Sequence, residues 1–296
     1  MLIREIVEYC DNQYSTKSGR CIDCDHSGEC PGNCSICLKE IHFNSNNPLA
    51  RHNYDCVNLA DYYVCKYALK YTSEICCALY GLEKLSNAKK ISVLSIGCGP
   101  CTDLFAFDYM REKGYYCFER IEYLGVEPLT SWGLIHDKIS QYDENFSVRF
   151  EYSDIQRVLP ILKAEGFEVD VIVMNYLLSD FHKYWGQENV LDFLNELVYY
   201  IKEVCPNSVI IINDINLCCS MGGGRDYFDT LFEKLKPMGF QCSRRHFNNS
   251  NRENHYNYGI EYSSNDLFFS DKVIGKYRNY SPFETCASAQ IIIFKE

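Results

Sequence analysis

The stretch that most constrains the fold is Ile91-Ser-Val-Leu-Ser-Ile-Gly97-Cys-Gly99-Pro100-Cys-Thr-Asp103. A run of β-branched and leucyl residues this short reads as a strand buried on both faces. Gly97 and Gly99 then permit a sharp turn and a close approach that any Cβ would obstruct. Thr102 and Asp103 favour the start of a helix. Strand, glycine turn and helix, in that order, build a nucleotide or cofactor site at the carboxyl end of a strand in an open α/β sheet.

A dinucleotide fingerprint, G-x-G-x-x-G, uses its third glycine for close helix–strand packing. Here Thr102 stands at that position and Pro100 follows the second glycine. The motif instead resembles that of the class I S-adenosylmethionine-dependent methyltransferases, an apolar strand followed by G-x-G and a small residue or proline. The later elements extend the resemblance over residues 91–296. A second apolar run, from Ile121, ends at Glu127, 28 residues after Gly99. An ionised carboxylate only accepts hydrogen bonds and has two oxygens, which suits a pair of ribose hydroxyls. A third run, from Val148, ends at Asp154. In the resembled family an acid here meets the adenine amino group, and Asp154 equally suits the N-cap of the next helix. Residues 169–176 and 208–214 read as fourth and fifth strands, 240–247 and 289–294 as two more. Helical stretches are expected at 102–113, 131–141, 155–165, 187–204 and 225–238, the last two with apolar residues at helical period.

Alternating strands and helices imply right-handed crossovers and a parallel sheet. The resemblance implies a Rossmann-like, seven-stranded α/β sheet with helices on both faces, its last strand antiparallel between the fifth and sixth. It also implies S-adenosylmethionine as cofactor, held by Gly97, Gly99, Pro100, Asp103, Glu127, Asp154 and Asn175. A helical pattern over 59–85 carries Tyr63, Tyr67, Tyr71 and Glu74 near one face. In the resembled family a helix before the first strand lids the cofactor, which puts Tyr71 and Glu74 beside the sulfonium; the same spacing also suits core packing. The expected domains are a methyltransferase domain at 57–296, with a leading helix at 57–86 and an insertion at 248–285, and a cysteine-rich metal-binding segment at 1–56.

Methyl transfer from a sulfonium is an in-line displacement. It demands alignment above all, and a base only where the nucleophile has a proton to lose. The catalytic candidates follow the fourth strand: Tyr176, Asp180 and His182. Asn175-Tyr-Leu-Leu lacks the two prolines of the Asn/Asp-Pro-Pro-aromatic motif common in enzymes that methylate base amines, which counts against that substrate. Tyr184, Trp185 and a tyrosine-rich stretch at 256–280 suit either an aromatic substrate wall or a hydrophobic cap.

The chain has 18 cysteines, and seven of them fall within the first 56 residues. The start of the chain carries acids where a signal peptide needs an apolar run, so a reducing, cytoplasmic setting without a disulfide lattice is expected. Clustered thiols then read as zinc ligands, since thiolates are soft donors and short loops close tetrahedrally on the ion. The candidates are Cys21, Cys24, Cys30, Cys34 and Cys37, with Cys10 and Cys56 as further options. Cys30, Cys34 and Cys37 also have the spacing of an iron–sulfur triplet in radical S-adenosylmethionine enzymes. The polar residues before them cannot form the buried strand such enzymes use, so zinc is favoured. Cys98 and Cys101 flank the glycine turn and read as packing behind the site.

No segment has the 18 uninterrupted apolar residues of a membrane span. A net charge of −11 disfavours a nucleic-acid-coated surface. Three functions fit: a methyltransferase acting on a small molecule or protein side chain, an RNA methyltransferase gripping its substrate through the zinc segment, and a non-catalytic scaffold of the same fold. The first is favoured, with the methyl acceptor itself unknown.

Overall fold

The computed structural model describes residues 1–16, 34–43, 53–250, 257–265 and 268–296. Its centre is one sheet of β1 (Lys90–Ile96), β2 (Arg120–Val126), β3 (Phe146–Glu151), β4 (Val171–Asn175), β5 (Val209–Asp214), β6 (Gln241–Phe247), β7 (Ile260–Tyr262) and β8 (Ala289–Phe294), in the order β3-β2-β1-β4-β5-β8-β6-β7. The first five strands pair in parallel. β8 runs antiparallel between β5 and β6, with Ile212 opposite Ile291 and Ser243 opposite Ile292.

The sheet has eight strands where seven were expected. The extra one, β7, lies inside the insertion and joins β6 in parallel at the edge, Arg245 opposite Ile260. Gly259 makes this possible: it has a positive φ, and a Cβ there would stand 2.1 Å from the Arg244 carbonyl oxygen.

Side chains alternate between two cores, as the period of a strand requires. Ile91, Val93, Val171, Val173, Val209 and Ile211 point into one, and Leu94, Ile96, Ile172, Met174, Ile210 and Ile212 into the other. The first core is covered by α1 (Leu2–Thr16), α2 (Cys34–Phe43), α3 (Val57–Leu79), α5 (Thr102–Glu112) and α6 (Gly133–Ser140). The short α4 (Glu83–Ser86) follows α3. α7 (Ile155–Ala164), α8 (Leu178–Glu203) and α9 (Asp226–Leu235) cover the second core. A last short helix, α10 (Asp271–Ile274), lies in the insertion.

α1 is amphipathic and buries Leu2, Ile3, Ile6 and Val7 in the first core, about 1.5–3 kcal/mol for each such side chain. Its first turn is fixed where the Leu2 N–H donates to the Asp108 carboxylate at 2.7 Å. α1 and α2 therefore share the core of the sheet.

Two helices differ from expectation in ways that matter for the site. α3 ends at Leu79, and Gly81, at φ +93°, separates it from α4. α8 begins at Leu178, directly after β4, and breaks at Gly186 (φ 78°, ψ 166°). The segment carrying Asp180 and His182, which precedes the helix expected at 187–204, is thus helical. Among the described residues no helix is long and apolar enough to cross a membrane.

Candidate active site

The glycine turn is tied to the tip of β2. The N–H groups of Gly97 and Cys98 donate to the Val126 carbonyl at 2.8 and 3.2 Å. Gly97 and Gly99 have φ of 65° and 45°. They are glycines for different reasons. A Cβ on Gly97 would lie 2.4 Å from Leu177 Cδ1, whereas one on Gly99 would meet nothing closer than Trp132 at 3.9 Å and would enter the adjoining cavity. Thr102 is the first residue of α5, and its N-cap is Cys101, held left-handed at φ 63°. That conformation costs a non-glycine residue roughly 1–2 kcal/mol.

Glu127 is nearly buried and braces this turn: its Oε2 accepts the Gly99 N–H and its Oε1 the Leu129 N–H, both at 3.0 Å. Burial raises its pKa, and the two N–H groups oppose that rise. A carboxylate has about four lone-pair sites, so capacity remains for two further donors. Asp103 is fully enclosed; Oδ1 accepts the Tyr123 hydroxyl at 3.0 Å, while Oδ2 has no partner among the described residues. Burial, then the Cys101 thiol, push this carboxyl up to about 7.

Beneath the turn a polar network joins α3 to β4, β5 and β8. The Asn175 amide donates to the Thr102 hydroxyl at 2.9 Å, and the Asn213 amide donates to Asn175 Oδ1 at 2.8 Å and to Glu74 Oε2 at 3.1 Å. Glu74 also accepts the Tyr176 hydroxyl at 2.9 Å and the Ala287 N–H at 2.8 Å. Tyr176 is itself left-handed (φ 54°), which swings its ring onto Tyr71, with centroids 4.0 Å apart.

Two cavities meet at these rings. The first, about 290 Å³, opens at the glycine turn and reaches Tyr184 and Trp185. Of the nine residues expected at the cofactor, Gly97, Gly99, Pro100, Asp103, Glu127, Asp154, Asn175 and Tyr71 line it, whereas Glu74 is fully buried and lines neither this cavity nor the next. Asp154 stands at the N-cap of α7 without a side-chain capping bond. The second cavity, about 420 Å³, lies between α2, α3 and the start of α8, and shares Tyr54, Tyr63, Tyr71, Tyr176 and Asp180 with the first.

Of the three catalytic candidates, Tyr176 and Asp180 sit at this junction. Burial, then the Asp214 carboxylate, raise Asp180 to about 7 against the opposing charge of Lys183. Asp214 is itself pushed up to about 6 by burial. His182 lines neither cavity and is engaged through Nδ1 with the Tyr227 hydroxyl at 2.7 Å. Its place one helical turn beyond Leu178 points it to α9.

Cys21, Cys24 and Cys30 lie outside the described residues. Cys34 and Cys37 stand at the start of α2, both buried against the first core. Among the described residues, Cys98, Cys101 and His136 form the one group whose soft donor atoms fall within 4.8 Å of one another. The His136 ring is already committed: Nε2 donates to the Gly99 carbonyl at 2.7 Å, and Nδ1 is hydrogen-bonded with the Tyr152 hydroxyl at 2.9 Å. The trio therefore braces the back of the turn, although hydrogen bonding from Cys98 and the charge of His136 overcome burial and lower the Cys101 thiol to about 6.

Sequence reasoning did not single out Trp132, which faces Gly99, or Asn213 and Gln290, which hold Glu74 and Asn175. Trp132 has no signal of its own. An asparagine at the end of an otherwise aliphatic fifth strand was the available sign for Asn213.

Neither protein-family profiles nor curated proteins match this sequence. Among solved structures, the plantazolicin methyltransferase BpumL in complex with SAH is 13% identical, with 99% of this chain and 100% of that chain covered and a TM-score of 0.41. The bifunctional kinase-methyltransferase WbdD is 11% identical over 77% of this chain, with a TM-score of 0.39; this chain spans only 38% of that one. Phosphoethanolamine N-methyltransferase 1 of Haemonchus contortus is 10% identical, with 76% of this chain and 40% of that chain covered and a TM-score of 0.42. Likeness at this level leaves function to be read from the chain's own site.

Proposed function

We propose that this chain is an S-adenosylmethionine-dependent methyltransferase acting on a small molecule or a protein side chain. The observation that carries the reading is the pair of joined cavities, one against the glycine turn and Glu127, the other beyond Tyr71 and Tyr176. The residues fit the cofactor. Gly99 leaves open the volume that a side chain would fill, Glu127 retains acceptor capacity for sugar hydroxyls, and Asp103 Oδ2 is a buried acceptor without a donor among the described residues. When bound, the sulfonium supplies an electrophilic methyl group.

The chain's own residues supply alignment and proton removal. The Glu74 network holds the Tyr176 ring, and Tyr71 and Tyr176 form the wall between donor and acceptor sides. Asp180, at the same junction, is the base for an acceptor that must lose a proton, and a pKa about 7 suits that role near neutral pH. A structural zinc ion at the N-terminal cysteines, with Cys21, Cys24, Cys34 and Cys37 as the simplest tetrahedron and Cys30 adjoining, is part of the same proposal.

The test is labelled-methyl transfer by the full chain against fractionated metabolites, peptides and RNA, alongside calorimetry with S-adenosylhomocysteine. Transfer to the metabolite or peptide fraction is expected. Failure to bind the nucleoside would remove the reading, and transfer confined to RNA would replace it.

A further inference from the structure

The second cavity has a charge unlike that of the whole chain. Four lysines line it, Lys39, Lys66, Lys70 and Lys183, against a single carboxylate, Asp180, among the described lining residues. The chain as a whole carries −11. Two of these ammonium groups are spoken for: Lys66 donates to the carbonyls of Tyr280 and Ser281 at 3.3 and 2.9 Å, and Lys183 donates to the Ile41 carbonyl.

Lys70 is different. Only 5% of it is exposed, and its one charged partner among the described residues is Glu74. Its nearest carboxylate oxygen, on Glu74, is 3.7 Å away, too far for a hydrogen bond. Both Glu74 oxygens are also engaged, by Tyr176, Asn213 and the Ala287 N–H. Around the ammonium stand the rings of Phe283, Tyr176 and Tyr71, at 4.7, 5.0 and 5.2 Å. An ammonium has three donors; the Glu74 carboxylate balances its charge from 3.7 Å without accepting from them. Cation–π contact adds to the balance of charge and leaves the donors available to a ligand in the cavity. His42, on the same cavity, reports the field: burial first, then Lys183, Lys70 and Lys66, push its pKa down to about 4. It is therefore neutral at physiological pH and adds no competing cation.

We propose that the second cavity is the acceptor chamber of the methyltransferase proposed above, and that it takes an aromatic small molecule bearing a carboxylate or phosphate, with that anion seated on Lys70. The volume suits one small ligand: about 420 Å³ falls within the roughly 300–1,000 Å³ of ordinary ligand pockets. The walls are aromatic as well as cationic, with Tyr63, Tyr67, Tyr71, Tyr176 and Phe283 offering faces for a planar ring. Lys70 thus selects the acceptor by charge, while Asp180 on the shared wall faces the transferring end. Amine-bearing acceptors are excluded by the same lysines.

The experiment is calorimetry on the full chain, with and without S-adenosylhomocysteine, using 4-hydroxybenzoate, phenyl phosphate, 4-hydroxybenzamide and tyramine as probes. One anionic probe is expected to bind at least about tenfold more tightly than the neutral amide, and the tighter anion identifies the headgroup. Lys70→Gln should erase that preference and Lys70→Arg retain it, with S-adenosylhomocysteine affinity unchanged in both. If Lys70→Gln does not fold, the wild-type ordering of the four probes decides. Equal binding of anionic, neutral and cationic probes overturns the inference, as does no binding of either anion, or a preference that survives in Lys70→Gln. The two readings fail separately. Loss of anion preference with intact nucleoside binding removes only the acceptor assignment, whereas anion preference without nucleoside binding removes only the methyltransferase.

Discussion

Gly99→Val isolates the cofactor volume from the fold. An ideal Cβ at Gly99 has Trp132 Cζ2, 3.9 Å away, as its nearest neighbour, an ordinary van der Waals distance. No apo contact has to move. The cost to folding is conformational: φ is 45°, and a left-handed backbone costs a side-chain-bearing residue roughly 1–2 kcal/mol, up to about 3 for a strained site. The valine methyls then project into a cavity of about 290 Å³ whose walls include Glu127 and Asp103. A cofactor braced against Glu127 must occupy that space, so its affinity should fall at least about 100-fold, equivalent to about 2.7 kcal/mol. Urea denaturation of the apo protein measures the first number and S-adenosylhomocysteine calorimetry the second. Gly97→Ala is the contrast, because its Cβ would overlap Leu177 Cδ1 at 2.4 Å and lower stability directly. Unchanged nucleoside affinity in a folded Gly99→Val protein would refute the assignment of this cavity to the cofactor.

The other expectations concern the base, the brace and the metal. Asp180 titrates about 7 in the fold, up from 3.8, and only its ionised form accepts a proton, so kcat/KM should rise with pH through about 7. Asp180→Asn should abolish that limb and slow transfer by about 10²–10⁴-fold; a pH profile unaltered by the substitution would exclude Asp180 as the base. The same raised pKa means the folded state keeps a proton that the unfolded chain has lost, so this residue's contribution to stability declines as pH rises from about 4 to about 7, and denaturation of Asp180→Asn against wild type across that range checks the sign. In Glu127→Gln an NH₂ replaces one acceptor oxygen and leaves either the Gly99 or the Leu129 N–H unpaired, for a stability loss of roughly 1–3 kcal/mol together with weaker nucleoside binding; urea midpoints and calorimetry that do not move would contradict the bracing role. Elemental analysis should find about one or two zinc ions per chain, reduced by Cys21→Ser or Cys24→Ser, and iron with sulfide, or no metal, would overturn that proposal.

What could be read in the sequence was periodic or local. The alternation of short β-branched runs with helical stretches specified the sheet, because strand faces repeat every second residue whatever the fold around them. The antiparallel entry of β8 came from the resemblance, and the pairing of Ile212 with Ile291 agrees with it. β7 escaped notice because Ile260-Glu-Tyr262 is too short and polar to signal a strand; it pairs where Gly259 lets the backbone approach Arg244. The start of α8 was missed because Gly186 interrupts its pattern, although the interruption is local and helix resumes on both sides.

The expected cofactor residues that line one cavity stand, Tyr71 apart, in the turns and helix starts at strand tips, which topology brings to one edge of the sheet; Tyr71 reaches it from α3. Lys70 is harder to read: Tyr71 and Glu74 share a face expected to meet the cofactor or the core, whereas a lysine four residues before a glutamate on a helix normally marks a solvated face. Here tertiary packing reverses that meaning. α3 is enclosed by α1, α2 and α5, the glutamate is recruited as the hub of a buried network, and the lysine, 3.7 Å from that glutamate, faces a cavity. The acceptor chamber proposed for the second cavity thus turns on Lys70, whose charge at helical spacing reads in the sequence as ordinary solvated surface, while its burial among Phe283, Tyr176 and Tyr71 is visible only in the structure.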